Sequence, residues 1–427
     1  MYKLIILISF IFLNAFGEAL IEAEKPSSST VFSGSFSAVG GNNYTNGKST
    51  LKQQEFNGFI EGALKVQNSS IFSSKVGDEV KYGFAVEGVI NSTNSLNPFN
   101  INEATFRMSL NKRGTRVVGF QNSVASKIRV DSTTFNPNSG GINGSWQKFL
   151  LFPVNGSFLT SQGMMIENGF SSPYFLANSQ NIENGRVKND IQPFENWSNS
   201  NFGLSYVGDR INGFRFGISY FMDNKTNLLF QKNNLSDKKN IVKDLNSQND
   251  TFLKDIISTG FNYYNGFNDF EFAFSFGYET AKTVSKEYDL NRLNSYSAGL
   301  NLSYLGVTLG GSFTYFGKSM RINGASVLGN NAFLNINSQV KEARDDYIFD
   351  VGLGYAILKN SISVSYIKSS FMNNVFWAGV ISFETKPTEN LVNYIQLSRY
   401  QFTNANEQNS NRKNSGFVIN LGLKYMF

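Results

Sequence analysis

Apolar residues fall on every second position over long stretches of this 427-residue chain. In the last twelve residues, GFVINLGLKYMF, Phe417, Ile419, Leu421, Leu423, Tyr425 and Phe427 share one parity, and Asn420, Gly422 and Lys424 lie on the other. Phe270, Phe272, Phe274, Phe276 and Tyr278 alternate in the same way with Glu271, Ala273, Ser275, Gly277 and Glu279. Similar runs occupy Phe214 to Tyr220, Tyr296 to Tyr304 and Tyr347 to Tyr355. A period of two belongs to a β-strand whose two faces meet different surroundings. The pattern predicts sixteen strands, at 31–40, 56–67, 80–91, 103–112, 115–122, 201–208, 212–222, 256–265, 269–280, 293–304, 306–317, 345–357, 361–369, 375–385, 391–402 and 415–427. Within 391–402 the apolar parity changes between Val392/Tyr394 and Ile395/Leu397, which predicts a bulge there.

Such strands suit either an ordinary β-domain with half-buried strands or an all-β transmembrane antiparallel β-barrel. Lipid tolerates five aromatics in a row on one strand face, and it offers the backbone no hydrogen-bond partner, so a spanning sheet must close on itself. Most of the strands reach the roughly 9–11 residues that a tilted crossing needs. The connections alternate too. Tight turns at 113–114, 209–211, 265–266, 305–306, 359–360 and 386–389 are interleaved with the segments 123–200, 223–255, 281–292, 318–344, 370–374 and 403–414, all but 370–374 longer and polar. Short periplasmic turns and long outer loops are the habit of bacterial outer-membrane barrels, with an even strand number and both termini on the periplasmic side.

The amino terminus supports export. Met1-Tyr2-Lys3 is followed by the apolar run Leu4 to Phe16 and by Gly17-Glu18-Ala19. This is the layout of a signal peptide, residues 1–19, with cleavage after Ala19 or, as second choice, Ala23. The run is shorter than the ~20 residues of a spanning helix. Residues 20–427 then form a single barrel domain. Lys3 and Glu18 leave together, so the mature chain keeps the formal charge of +6.

Composition narrows the function classes. The chain has no cysteine and no histidine, which removes disulfides, most zinc sites and the usual nucleophile–base pairs. No metal, cofactor or enzymatic activity is expected. A mean hydropathy of −0.24 is too low for a helical membrane protein, but a barrel hides its apolar residues in alternation. The basic residues are dispersed among acids, so nucleic acid is not an expected partner. Asp244, Asn246, Gln248 and Asp250 alternate like the start of a calcium loop, yet the turn glycine and the closing glutamate are absent.

Four stretches resemble the general diffusion porins of Gram-negative outer membranes. They are Val76 to Phe84 (VGDEVKYGF), Glu103 to Ser123 (EATFRMSLNKRGTRVVGFQNS), Asn201 to Tyr220 (NFGLSYVGDRINGFRFGISY) and the terminal Tyr425-Met426-Phe427. The resemblance implies a sixteen-stranded barrel assembled as a homotrimer in outer-membrane lipid, passing small ions and solutes. It also implies that the third loop, 123–200, folds inward as the constriction, and that Tyr425 and Phe427 carry the signal read by the barrel-assembly machinery. On that basis Asp131, Glu167, Glu183, Asp190 and Glu195 are the candidate constriction acids.

Parity assigns Lys65, Lys81, Arg107 and Arg215 to the inner wall, because Ile60, Leu64, Val80, Tyr82, Phe84, Phe106, Met108 and Leu110 take the lipid face. Glu61 and Glu87 point inward by the same rule. Arg116 is a further candidate, although Val117 and Val118 leave the parity of its strand open. The chain departs from the family at Phe120, where an arginine is usual, and it has no evident arginine near Glu195 to Asn199. A strong crossed field is therefore not expected, and the sign of selectivity stays open. A substrate-specific or eighteen-stranded porin, or a barrel adhesin acting through its outer loops, remains the alternative.

Overall fold

The computed structural model describes residues 27–45, 57–73, 79–91, 99–110, 113–132, 141–150, 158–160, 162, 182–183, 186–187, 201–224, 252–284, 290–319, 321, 345–371, 373–404 and 413–427. The signal peptide proposed at 1–19 lies outside them.

The strands run as β1 (Ser27–Thr45), β2 (Asn57–Ser73), β3 (Glu79–Asn91), β4 (Phe99–Leu110), β5 (Gly114–Gln121), β6 (Asn201–Val207), β7 (Phe214–Asp223) and β8 (Phe252–Phe267). They continue as β9 (Phe270–Val284), β10 (Leu293–Tyr304), β11 (Val307–Gly317), β12 (Asp346–Ile357), β13 (Asn360–Phe371), β14 (Asn374–Thr385), β15 (Leu391–Thr403) and β16 (Lys413–Met426). Each pairs antiparallel with its neighbours in chain order, and β16 pairs with β1 to close the barrel. Sixteen strands answer the sixteen expected from alternation, and the eighteen-stranded alternative falls. A separate two-residue hairpin joins Ile182–Glu183 to Arg186–Val187.

Cross-strand partners share a face, so the register sorts every strand residue. Outward positions are apolar and exposed, among them Phe36, Ile60, Phe84, Phe216, Leu309, Leu353, Ile381 and Leu421. Inward positions are small or polar, with Ser219, Ser258, Ser275, Ser312, Ser363 and Ser382 all buried. From Phe417 to Phe427 the chain climbs about 25 Å at about 3.3 Å per residue and roughly 40° of tilt, the height of the apolar band of such a barrel. Outward aromatics mark both edges of this band. Tyr304, Tyr355, Phe383, Tyr425 and Phe427 stand at the end with tight turns, and Tyr278, Tyr296, Tyr347, Tyr366 and Trp377 at the end with long connections.

The bulge expected in 391–402 is absent: β15 pairs in unbroken register with β14 and β16. Its parity changes for another reason. Val392 and Tyr394 face inward and are buried against material inside the barrel, and Ile395 and Leu397 face outward. Register shifts occur instead at Lys254/Ile257 in β8, at Tyr315/Gly317 in β11 and at Glu87/Gly88 between β3 and β4. The last one lets Ile101 face out and Glu103, two residues on, face in, which strict alternation forbids.

Phe427 ends the closing seam. Gly34 N–H donates to the Phe427 carbonyl (2.9 Å), Phe427 N–H donates back to Gly34 (3.1 Å), and the two rings of Phe427 and Phe36 stack with centroids 6.0 Å apart. Deleting Phe427 is expected to cut the yield of folded barrel, scored by heat-shifted gel mobility, far more than it changes the conductance of barrels that do fold.

Candidate functional site

The third connection begins where β5 ends, and its residues 123–132, 141–150, 158–160 and 162 lie inside the barrel. A single turn of helix, α1 (Val124–Lys127), is capped by Ser123, whose Oγ accepts from Ser126 N–H (3.3 Å) and donates to the buried Glu279 on β9 (2.6 Å). The first N–H groups of a helix lack internal acceptors. Here Val124 N–H donates to Ser219 Oγ (3.0 Å) and Ala125 N–H to Ser258 Oγ (3.1 Å), so wall serines supply them. The helix also needs space, which glycine provides. Gly217, Gly260 and Gly277 lie opposite one another on β7, β8 and β9. A Cβ on Gly217 would fall 2.7 Å from Val124 Cγ1, one on Gly260 2.8 Å from Ile128 Cδ1, and one on Gly277 2.9 Å from Ala125 Cβ. A fourth glycine, Gly299 on β10, is overlain by the carbonyl of Val130.

Beyond α1 the loop follows the wall. Asn262 donates to Ile128 O (3.0 Å), Val130 N–H donates to Ser275 Oγ (2.8 Å) and Asn301 donates to Asp131 O (3.0 Å). Asp350 on β12 then grips two separate parts of the loop. It accepts from Ser132 N–H (3.0 Å) and from the Gln162 side chain (2.8 Å), as well as from Ser312 Oγ (2.5 Å) on β11. Further on, two short 3-10 turns, Gly141–Asn143 and Ser145–Phe149, press Ile142, Trp146 and Phe149 against Val39, Phe59, Tyr394, Tyr400, Phe402 and Val418 in the main buried apolar cluster. Polar anchors accompany this packing: Gln396 donates to Gly141 O (3.2 Å), Asn420 to Ser145 Oγ (2.9 Å), and Asn43 to the Phe149 carbonyl. The described loop thus skirts the inner wall from β7 round to β1. On β2 to β5 the described loop touches the wall at Phe59, whose ring lies 5.5 Å from that of Phe149, and at Gln121, the acceptor of Lys127.

Between these two contacts the wall is charged. Glu103 on β4 accepts from Lys65 (3.3 Å) on β2 and from the guanidinium of Arg107, and Lys65 also lies 3.5 Å from Glu87 on β3. Lys127 approaches from the loop, close enough to Glu103, Arg107 and Lys65 to feel their charges, with Nζ donating to Gln121 Oε1 (2.8 Å). Its ammonium opens on the lumen, but desolvation by the surrounding wall brings its pKa down to about 8, with Arg107 and Lys65 adding to the shift and Glu103 opposing it.

The sequence model of the family described as Gram-negative porin matches residues 27–422. The chain belongs to that family. An uncharacterised protein of Rickettsia conorii is 20% identical over 410 residues, which cover 84% of this porin and 87% of that protein. Among solved structures, the anion-selective porin from Comamonas acidovorans superposes with a TM-score of 0.56 at 15% identity, over 94% of this chain and all of that one. OprB of Pseudomonas putida gives 0.53 at 10% identity, over 93% and 94% of the two chains. OmpF of Salmonella typhi gives 0.52 at 12%, over 93% and 97%. At these identities the likeness is one of fold. The porin is an outer-membrane channel protein, with its tight turns periplasmic and its long loops outside.

Of the residues singled out from sequence, Lys65, Glu87 and Arg107 meet in the charged cluster. Lys81 faces inward near the periplasmic end of β3, opposite Ser109, and Arg215 faces inward at the periplasmic end of β7, opposite Asn262. Glu61 shares the inward parity of Phe59 and Lys65, toward the outer end of β2. Arg116 is a correction: the ladder sets it opposite Met108 and Tyr206, on the outward face, so it does not line the pore. Asp131 lies in the loop but is buried, 2.9 Å from Arg129, and turns away from the passage. Glu183 stands on the two-residue hairpin, and Glu167, Asp190 and Glu195 lie outside the described residues.

Two members of the cluster were not anticipated. Glu103 had a signal, because it shares the parity of Arg107 four residues on, but the apolar Ile101 beside it obscured that parity. Lys127 had none, since only the seating of α1 directs it to the wall. Replacing Gly277 by valine is expected to lift α1 from its groove, because the nearest atoms its side chain would meet belong to Ala125. Overpacking of this kind costs about 1–3 kcal/mol. Folded barrels of the variant should show a larger and noisier single-channel conductance, and unchanged conductance would contradict this seating.

Proposed function

We propose that this porin is a passive, water-filled channel for small hydrophilic solutes and ions, narrowed by the loop 123–200 and preferring anions. Its action is physical rather than enzymatic: inward serines and asparagines wet the lumen, the loop limits solute size, and fixed charges bias the flux. One observation carries the anion preference. The loop presents a cation, Lys127, toward a wall that already holds Lys65 and Arg107, so three cations surround the two carboxylates Glu87 and Glu103. The loop acid nearest in sequence, Asp131, is turned away in its pair with Arg129. The Comamonas neighbour, named as an anion-selective porin, supports the same sign.

A homotrimer suits the outward face of β1 to β4, where Phe32, Phe36, Ile60, Leu64, Phe84 and Phe106 form a continuous exposed apolar surface. Tyr425 and Phe427, at the free end of the last strand, suit recognition by the barrel-assembly machinery. Crosslinking of the folded protein in detergent is expected to give three subunits.

In a planar bilayer the purified porin is expected to conduct in discrete steps, with a reversal potential of anionic sign under a salt gradient. A barrel that inserts folded yet never conducts would falsify the channel reading; a cationic reversal potential would overturn the anion preference alone. Lys127 is charged below its pKa and neutral above it, so the anion preference should decline as pH rises through about 8. In Lys127→Gln the preference should be weaker at neutral pH, and that pH step should disappear.

A further inference from the structure

Charged side chains on the lipid face of a barrel are costly at mid-membrane and cost little near its edges. This porin carries two such cations on the strands that flank β14. Lys368 on β13 and Arg399 on β15 alternate with the inward Ile367, Ser369, Ser398 and Tyr400, all buried, so both point outward. Between them runs β14, where Lys368 lies opposite Trp377 and Arg399 opposite Gly379. A Cβ added to Gly379 would meet nothing within 4 Å, which makes this position an open notch between the two cations. The rings of Tyr366 and Trp377 stack at its side with centroids 6.4 Å apart.

The height of the patch follows from register. Arg399 pairs with Phe417, the upper end of the apolar run that Phe427 closes below, and the outward row above it is Lys368, Trp377, Gln401 and Ser415. The patch therefore lies at the outer edge of the apolar band, where lipid headgroups begin. Neither cation has a hydrogen bond or ion pair among the described residues, and the outward positions of β12 to β16 carry no carboxylate. Elsewhere on the barrel, on β9, the cation Lys282 is instead neutralised within the protein by Asp255 (3.1 Å).

We propose that Lys368 and Arg399, across the notch at Gly379, bind the phosphate-bearing headgroup of an outer-leaflet lipid. Arginine and lysine are matched to phosphate oxygens, the missing side chain leaves room for the group to approach the strand, and the aromatic pair packs beside the sugar or glycerol that bears it.

The test uses the full folded porin in non-ionic detergent, with a diphosphorylated glucosamine lipid as probe and native mass spectrometry to count what each chain retains. The wild type is expected to hold this lipid in preference to zwitterionic phosphatidylethanolamine. Retention by Lys368→Gln/Arg399→Gln should fall roughly thirtyfold, the effect of losing two cations at an anionic lipid surface. Lys282→Gln should retain it like the wild type. Gly379→Leu, which fills the notch without removing a charge, should also lose the lipid, and it serves if the double variant folds poorly. Equal retention by wild type and both patch variants overturns the proposal, as does an equal loss in Lys282→Gln. Tighter binding of inorganic phosphate than of the lipid would make the patch a free-phosphate site, and loss of the oligomer without loss of lipid would make it a protein interface. Either result overturns the lipid assignment.

Discussion

Closure of the sheet between β1 and β16 is the constraint on which the rest depends. Every interior strand finds its hydrogen-bond partners on both sides, but an open sheet would leave the outer edges of β1 and β16 unpaired in a medium that cannot solvate them. Their antiparallel ladder runs from Ser35–Met426 to Thr45–Gly416 and is finished by the reciprocal bonds of Gly34 and Phe427. Once the ring is closed, parity has a fixed meaning, with one side in lipid and the other in the lumen. A bulge is then a tool for changing face, as where β4 turns Glu103 inward after Ile101 has faced out.

A barrel of this width leaves a lumen too large for its own inward serines to fill, and the described part of the third loop lines it along the wall. Its seat combines two kinds of complementarity. Along β7 to β10 the wall recedes through opposed glycines, and short hydroxyl and amide side chains satisfy the loop backbone. Along β13 to β16 and β1 the wall is apolar instead, and Trp146, which is fully buried, packs among phenylalanines and tyrosines. Asp350 joins the two regions, because it accepts hydrogen bonds from both an early and a late part of the loop. The two oxygens of a carboxyl group can accept several such bonds at once, so one side chain can hold two segments of the loop in place.

The barrel was legible in the sequence because alternation is a local property, repeated in every strand. What resisted reading were features that depend on a neighbour. Arg116 sits beside two valines, so its own strand gives no parity, and only its ladder partners Met108 and Tyr206 turn it outward. The break of pattern at Val392 and Tyr394 resembled a bulge, but the strand is regular and the apolar residues on its inner face are covered by the loop. Lys127 is remote in sequence from Lys65 and Glu103, and nothing short of the folded loop brings them together.

The misread strand carries a usable signal nonetheless. A spanning strand that faces open water inside should be apolar on one parity only, as β3 is, with Tyr82, Phe84 and Val86 outward and Lys81, Gly83, Ala85 and Glu87 inward. A strand covered by the apolar part of the loop becomes apolar on both. In β15 the inward Val392, Tyr394, Tyr400 and Phe402 accompany the outward Ile395 and Leu397, and in β14 the inward Phe376, Ala378 and Val380 accompany Trp377, Ile381 and Phe383. Two-sided apolar strands therefore trace where the apolar part of the loop lies, whereas β7 to β10, which seat its helix through inward glycines and serines, stay apolar on one parity. Alternation alone thus does not separate β7 to β10 from β2 to β4, where the charged cluster of Lys65, Glu87, Glu103 and Arg107 stands; only the seating of α1 does.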